Sequence, residues 1–214
     1  MRIRDKIKKP QRPVVAYEIL PPREKDGTLN SYAETISSLL SQTHIDAINI
    51  PEVLDEAGRG DRPIANYKRG EPREFGRLLQ DIVGIEAIVN RVVVHDDYDT
   101  QMKWLEETNL VYEIENMIIV GGESSNVEYP GPTVNQALEA ISNTYNKEGK
   151  DIFCGGIAIP SRKEESKNLI KKSKNGSEFF TTQVLYDSKN IIKMMNNYQT
   201  RCNELNTFPR RILL

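Results

Sequence analysis

The chain has 214 residues, 38% hydrophobic and 28% charged, with a formal net charge of −2 at pH 7. That length suits one large domain with a sizeable core, and the near-neutral balance argues against a nucleic-acid partner. No run approaches the roughly 18–20 apolar residues of a membrane span, and no apolar stretch follows the N-terminal charges as a secretory signal requires.

The chain opens on a basic segment, 1–13, in which Arg2, Arg4, Lys6, Lys8, Lys9 and Arg12 face only Asp5. It reads as a solvated arm ahead of a single barrel-like βα domain, the whole spanning 1–214. The first apolar run, 14–20, carries Glu18 among Val14, Val15, Ala16, Tyr17, Ile19 and Leu20. A strand there should desolvate the carboxyl and raise its pKa toward neutrality, making it a proton donor at pH 7; the competing reading is a carboxylate paired with an arginine.

Strand-like and helix-like segments then alternate, about 30 residues per pair. A helix over 29–41 leads to a strand at 47–50, Glu52 and the charged loop Arg59-Gly60-Asp61-Arg62-Pro63. A helix over 73–82 precedes a strand over 87–94 that ends at His95 and Asp96. A helix over 100–108 precedes a strand over 117–120 that opens into Gly121-Gly122-Glu123. Those glycines would let a ligand approach the backbone, with Glu123 able to hold a polar ring edge.

The helix over 134–146 carries an apolar stripe of Val134, Ala137, Leu138 and Ile141. The strand over 152–159 holds Gly155-Gly156, read as close packing, and Cys154, read as a buried thiol. A helix over 163–173 should stop at Asn175-Gly176. The strand over 179–185 contains Gln183, whose amide offers a donor and an acceptor to a heterocycle. A helix over 189–205 and a strand beginning at 211 follow. Cys154, Cys202, His44 and His95 lack metal-ligand spacing, so no metal site is expected; reduced thiols point to the cytoplasm.

Alternating strands and helices imply a parallel sheet with helical crossovers. A dinucleotide-binding sheet would show a glycine-rich turn after its first strand, where this chain has Pro21-Pro22-Arg23. The expected fold is therefore α/β of the (β/α)8 TIM-barrel type, incomplete at about six and a half βα units, with polar residues at the C-terminal strand ends. Unpaired edges in such a sheet suggest an oligomer or a partner subunit completing the barrel.

Tyr17-Glu18-Ile19-Leu20-Pro21-Pro22 and Phe180-Thr181-Thr182-Gln183-Val184-Leu185-Tyr186-Asp187 resemble the first- and sixth-strand motifs of the methylenetetrahydrofolate reductases. The segment from Asn168 to Gly176, Gly121-Gly122-Glu123 and Ala158-Ile159-Pro160 fall in register with that family. The resemblance implies reduction of 5,10-methylenetetrahydrofolate to 5-methyltetrahydrofolate with NAD(P)H, with or without FAD. It implies Glu18 as general acid, Gln183 and Glu123 as folate contacts, and Lys172, Asn168 and Asn90 as cofactor contacts. Pro51 and Asn90 stand where flavin-binding members carry threonine and histidine. The alternative is a catalytically inactive folate-binding or scaffold subunit partnering another one-carbon enzyme.

Overall fold

Parallel strands buried on both faces read as near-continuous apolar runs rich in β-branched and aliphatic residues, and every predicted apolar run contains a strand here. The computed structural model describes residues 1–53, 68–122, 128–145, 149 and 151–214. The elements are α1 (Ile3–Lys8), β1 (Ala16–Glu18), α2 (Leu29–Leu40), β2 (Ala47–Ile50), α3 (Pro72–Val83), β3 (Ala87–Val92) and α4 (Tyr98–Leu110). They continue with β4 (Asn116–Val120), α5 (Val134–Ala140), β5 (Phe153–Ala158), α6 (Glu165–Lys174), β6 (Phe179–Thr182), α7 (Ser188–Glu204) and β7 (Arg211–Leu213).

Local chemistry sets the helix ends. Thr28, Glu71, Asp97 and Thr133 each accept a first-turn N–H of the following helix, and Pro72 sits in the first turn of α3. Gly176, at φ 113°, lets the chain turn after α6. The helix expected over 134–146 narrows to α5 and then widens into a π turn, Ile141–Tyr145.

All seven strands are parallel and stand in sequence order, β1 to β7. Among the described residues no ladder joins β7 to β1, which corrects the (β/α)8 TIM-barrel type, while the expected incompleteness at about six and a half βα units fits the seven strands. Closing an eight-stranded barrel needs a strand paired on both sides at every position, and here β1 and β7 are both edges. The fold is a seven-stranded, all-parallel, open α/β sheet.

Register separates the two faces. Glu18 pairs with Asn49, Asn49 with Ile88, Asn90 with Ile118, Ile118 with Gly155, and Gly155 with Phe179, so these side chains share one face. On the opposite face Ile48, Ile50, Val89, Met117, Ile119 and Phe180 pack against the helices. Gly155 is required by packing, as expected: a Cβ there would lie 2.6 Å from the Phe179 ring, which itself stacks on Phe153 at 4.8 Å. Cys154 is buried as expected, and burial pushes its thiol up.

The inner face is closed from the N-terminal end of the strands by α1. Ile3 and Ile7, one helical turn apart, are fully buried against Ala47, Ile88, Ile118, Phe153 and Phe179. This corrects the reading of 1–13 as a solvated arm. The cations at α1 meet acids that stand one or two residues before the strands. Arg2 reaches Glu115 and Asp151, Arg4 reaches Asp151, Lys6 reaches Asp46, and Lys8 reaches Glu178. Ile3 N–H donates to Glu86. Burial works against the charged form of Asp46, yet the Val15 N–H, Lys6 and Arg12 hold its carboxyl below the usual carboxylate range. Arg4 and Lys8 also lie over the Phe153 ring.

Candidate functional site

With its N-terminal end filled, the inner face opens at the C-terminal strand ends, where parallel α/β sheets carry their ligands. A cleft of about 700 Å³ lies there, lined among others by Val92, Val120, Gly121, Ile157, Arg162 and Gln183. One pleat below Val92 on the same face sits Asn90.

Two carboxamide oxygens on this face are unpaired. Asn49 Oδ1 and Asn90 Oδ1 are buried and accept no hydrogen bond among the described residues. An unsatisfied buried acceptor costs about 1–3 kcal/mol, so each such exception calls for an explanation: strain, a water or ion, or a ligand. Asn49 spends its donor on Glu18, Nδ2 to Oε2 at 2.9 Å. A carboxylate and two unpaired acceptors therefore share one face, and among the described residues the Asn49 amide is the side-chain donor that meets Glu18.

Glu18 is exposed, as is all of β1, so the expected desolvation of its carboxyl is corrected. Among the described residues β1 has a neighbour on one side only, and its apolar flanks Val15 and Tyr17 are themselves 43% and 47% exposed. Gln183 is likewise exposed, just beyond β6, and borders the cleft. Asn90 is on the inner face, while Asn168 and Lys172 line the cleft wall. Glu123 and the loop Arg59–Arg62 lie outside the described residues.

A buried acid organises that wall. Glu165, at 2% exposure, accepts Ile159 N–H at 3.1 Å, Asn168 Nδ2 at 2.9 Å and Arg162 Nη1 at 3.4 Å. Lys172 Nζ lies 3.6 Å from its other side and donates to Ile157 O at 2.5 Å. Burial pushes the Lys172 ammonium down from its ordinary value, and Glu165 counters that. The Lys172 stem passes 3.5 Å from the position of a Cβ on Gly156, in ordinary contact.

This arrangement bears on the flavin that the resemblance implies. Lys172 gives one N–H to Ile157 O and faces Glu165 with another, and Asn168 gives one amide hydrogen to Glu165. Each keeps one further N–H, the ammonium having three and the amide two, and both side chains line the cleft, so the residues matched to the flavin tail could offer a phosphate one donor each.

On the opposite wall Glu52 is anchored to β3. Its carboxylate accepts Arg91 Nη1 at 2.6 Å and Val92 N–H at 2.8 Å. Burial pushes its carboxyl up, with Arg91 opposing. Arg91 continues to Asp96 and Gln101 and lies over the Trp104 ring, so Glu52 and Asp96 serve packing of β3 on α4. His95 meets the edge of Tyr129 at 5.5 Å. Among the described residues no group of three or more His, Cys, Asp or Glu side chains is placed to hold a metal ion, and no helix is long and apolar enough to cross a membrane.

Fold and cleft together define an open parallel α/β sheet with a polar pocket at its C-terminal edge. No family model matches the chain, and no curated protein matches it. Among solved structures it is similar to an uncharacterized protein from Clostridium thermocellum that binds two copies of 5-methyl-5,6,7,8-tetrahydrofolic acid. That likeness has a TM-score of 0.75 at 18% identity, over 98% of this chain and 67% of that one. It is also similar to 2,3-dimethylmalate lyase, a PEP mutase/isocitrate lyase superfamily member, with a TM-score of 0.61 at 10% identity, over 99% of this chain and 79% of that one. A phosphonopyruvate hydrolase complexed with oxalate and Mg²⁺ gives 0.61 at 9%, over 98% and 78%. At these identities the likenesses show the fold alone.

Proposed function

We propose that the chain binds a reduced folate at the C-terminal end of its sheet, with the pterin ring on the inner face against Glu18, Asn49 and Asn90. The two unpaired carboxamide oxygens carry this reading. A reduced pterin presents a row of N–H donors along its pyrimidine edge, which is what two buried acceptors and a carboxylate lack. The 5-methyltetrahydrofolate bound by the similar Clostridium thermocellum protein and the resemblance of the Glu18 and Gln183 motifs to methylenetetrahydrofolate reductases point to the same ligand class. Gln183, at the cleft rim, is then placed to meet the ring or its linker.

Reduction of 5,10-methylenetetrahydrofolate by NAD(P)H is a second reading, favoured by Glu18. Its carboxyl is exposed, on the face that Asn49 and Asn90 share, and is held by the Asn49 amide, which leaves it accessible to a bound methylene bridge. Hydride would pass from NAD(P)H directly or through FAD. A binding or scaffold subunit remains where hydride transfer fails and folate binding holds.

Titration of 5-methyltetrahydrofolate into the protein by calorimetry tests the first reading. Asn90→Leu should weaken binding at least tenfold while leaving thermal stability equal or higher, because an orphaned acceptor is removed with little change of volume. An Asn90→Leu protein that binds as the parent does, or a parent that binds no folate, sinks the reading. NAD(P)H oxidation dependent on methylenetetrahydrofolate, abolished by Glu18→Gln with folate binding retained, separates the reductase from the binding subunit.

A further inference from the structure

A second groove lies across the rim from the cleft. It measures about 610 Å³ and runs between the N-terminal end of α6 and the exposed face of α7, past Lys163, Asn190, Lys193 and Asn197. Arg162 lines both the groove and the cleft, so the two meet at one guanidinium. That guanidinium is fixed from behind by the buried Glu165, which takes Nη1 at 3.4 Å, while the side chain stays 45% exposed. Its other nitrogens make no hydrogen bond among the described residues.

The groups along the groove are of two kinds. Lys163 and Lys193 make no ion pair among the described residues, and the Asn190 and Asn197 amides make no side-chain hydrogen bond. Two of the three acids present are already engaged: Glu164 with Lys167 and with Arg201 at 3.2 Å, and Glu165 with the cleft wall. Glu204, at the far end, is the third. Open cations interleaved with open carboxamides match a chain whose repeat is one carboxylate and one amide. A folate carries such a chain when its glutamate is extended by further γ-linked glutamates.

Resting on the folate reading above, we infer that the groove between α6 and α7 takes the γ-linked glutamate tail of a polyglutamylated folate. Arg162 marks the crossing from cleft to groove, and Lys163 and Lys193 line the path beyond it. The ring end is read in the cleft and the tail in the groove, so the two parts of the ligand are recognised by separate residues.

The test is a fluorescence titration of the full chain with 5-methyltetrahydrofolate carrying one, three or five glutamates at fixed ionic strength. Kd should fall at least tenfold from one to three glutamates. The double variant Lys163→Glu and Lys193→Glu should lose that gain with monoglutamate affinity unchanged. Lys103→Glu, a charge change of the same sign on the exposed face of α4 where Lys103 is 77% exposed, should keep it. Equal affinity for the three ligands, or a gain that survives in the double variant or is lost equally in Lys103→Glu, overturns the tail site while leaving the folate reading intact. Failure of all three to bind overturns both.

Discussion

Glu165→Ala is expected to destabilise the protein by about 3–5 kcal/mol, the range for removing one partner from a buried ion pair. Three donors and a cation depend on this carboxylate: Ile159 N–H, Asn168 Nδ2, Arg162 Nη1 and the Lys172 ammonium. Truncation leaves Lys172 buried with only the Ile157 carbonyl for company, and its ammonium is driven further below its ordinary value. Pairing the change with Lys172→Met isolates that contribution. If the buried amine is the main casualty, the double variant should recover much of the loss, giving a strongly non-additive cycle in urea unfolding. Additive costs would mean that the Ile159, Asn168 and Arg162 contacts matter and Lys172 does not.

Ile7→Ala should cost about 2–5 kcal/mol, as for other buried isoleucines. The side chain is 1% exposed and meets the inner-face residues of the sheet beside Ile3. Lys9→Ala, two residues on at an exposed position, should change stability by less than about 0.5 kcal/mol. The contrast is read from urea midpoints at constant slope. Equal small effects at both positions would return the segment to a solvated arm and leave the N-terminal end of the inner face unfilled.

That N-terminal helix also shows what the sequence conceals. Strands were legible because each run is apolar on alternate and on intervening positions, the mark of a strand buried on both faces. Glu18 lies in a run that looks the same, yet it is exposed. Burial in a parallel sheet comes from a neighbour on each side and a helix above, and among the described residues β1 has one neighbour. Six cations in the first twelve residues obscured Ile3 and Ile7, whose spacing of four is the only apolar signal of a helix face. A second signal was present and unread: Asp46, Glu86, Glu115 and Glu178 each stand one residue before a strand, a set of acids waiting for a basic partner.

The cleft was legible in part. The resemblance led to Lys172 and Asn168, and the structure puts both on one wall, but Glu165, which holds them, carried no distinguishing mark. It is one of two adjacent glutamates, and the left-handed backbone at Glu164, φ 60°, decides which turns inward. Asn49 could have been found. It stands in Ala47-Ile48-Asn49-Ile50 as Glu18 stands in its own run, a polar side chain in an apolar strand. Which of these polar residues is buried depended on which strand lay at an edge.

The ion pairs of α1 also have a bearing on the order of events during synthesis. Arg2 and Asp151 are separated by 149 positions, and Lys8 must wait for Glu178. α1 thus finds part of its seat on β2 to β4 but the whole of it only when the sixth strand is in place, because contacts of such long range close late. In a refolding time course read by pulsed hydrogen exchange, the α1 amides should gain protection after those of β3 and β4; protection of α1 first would reverse that order. Until it docks, the inner aromatic pair Phe153 and Phe179 stays uncovered at its N-terminal end, which makes the interval before docking the one in which a nascent chain is most prone to aggregate.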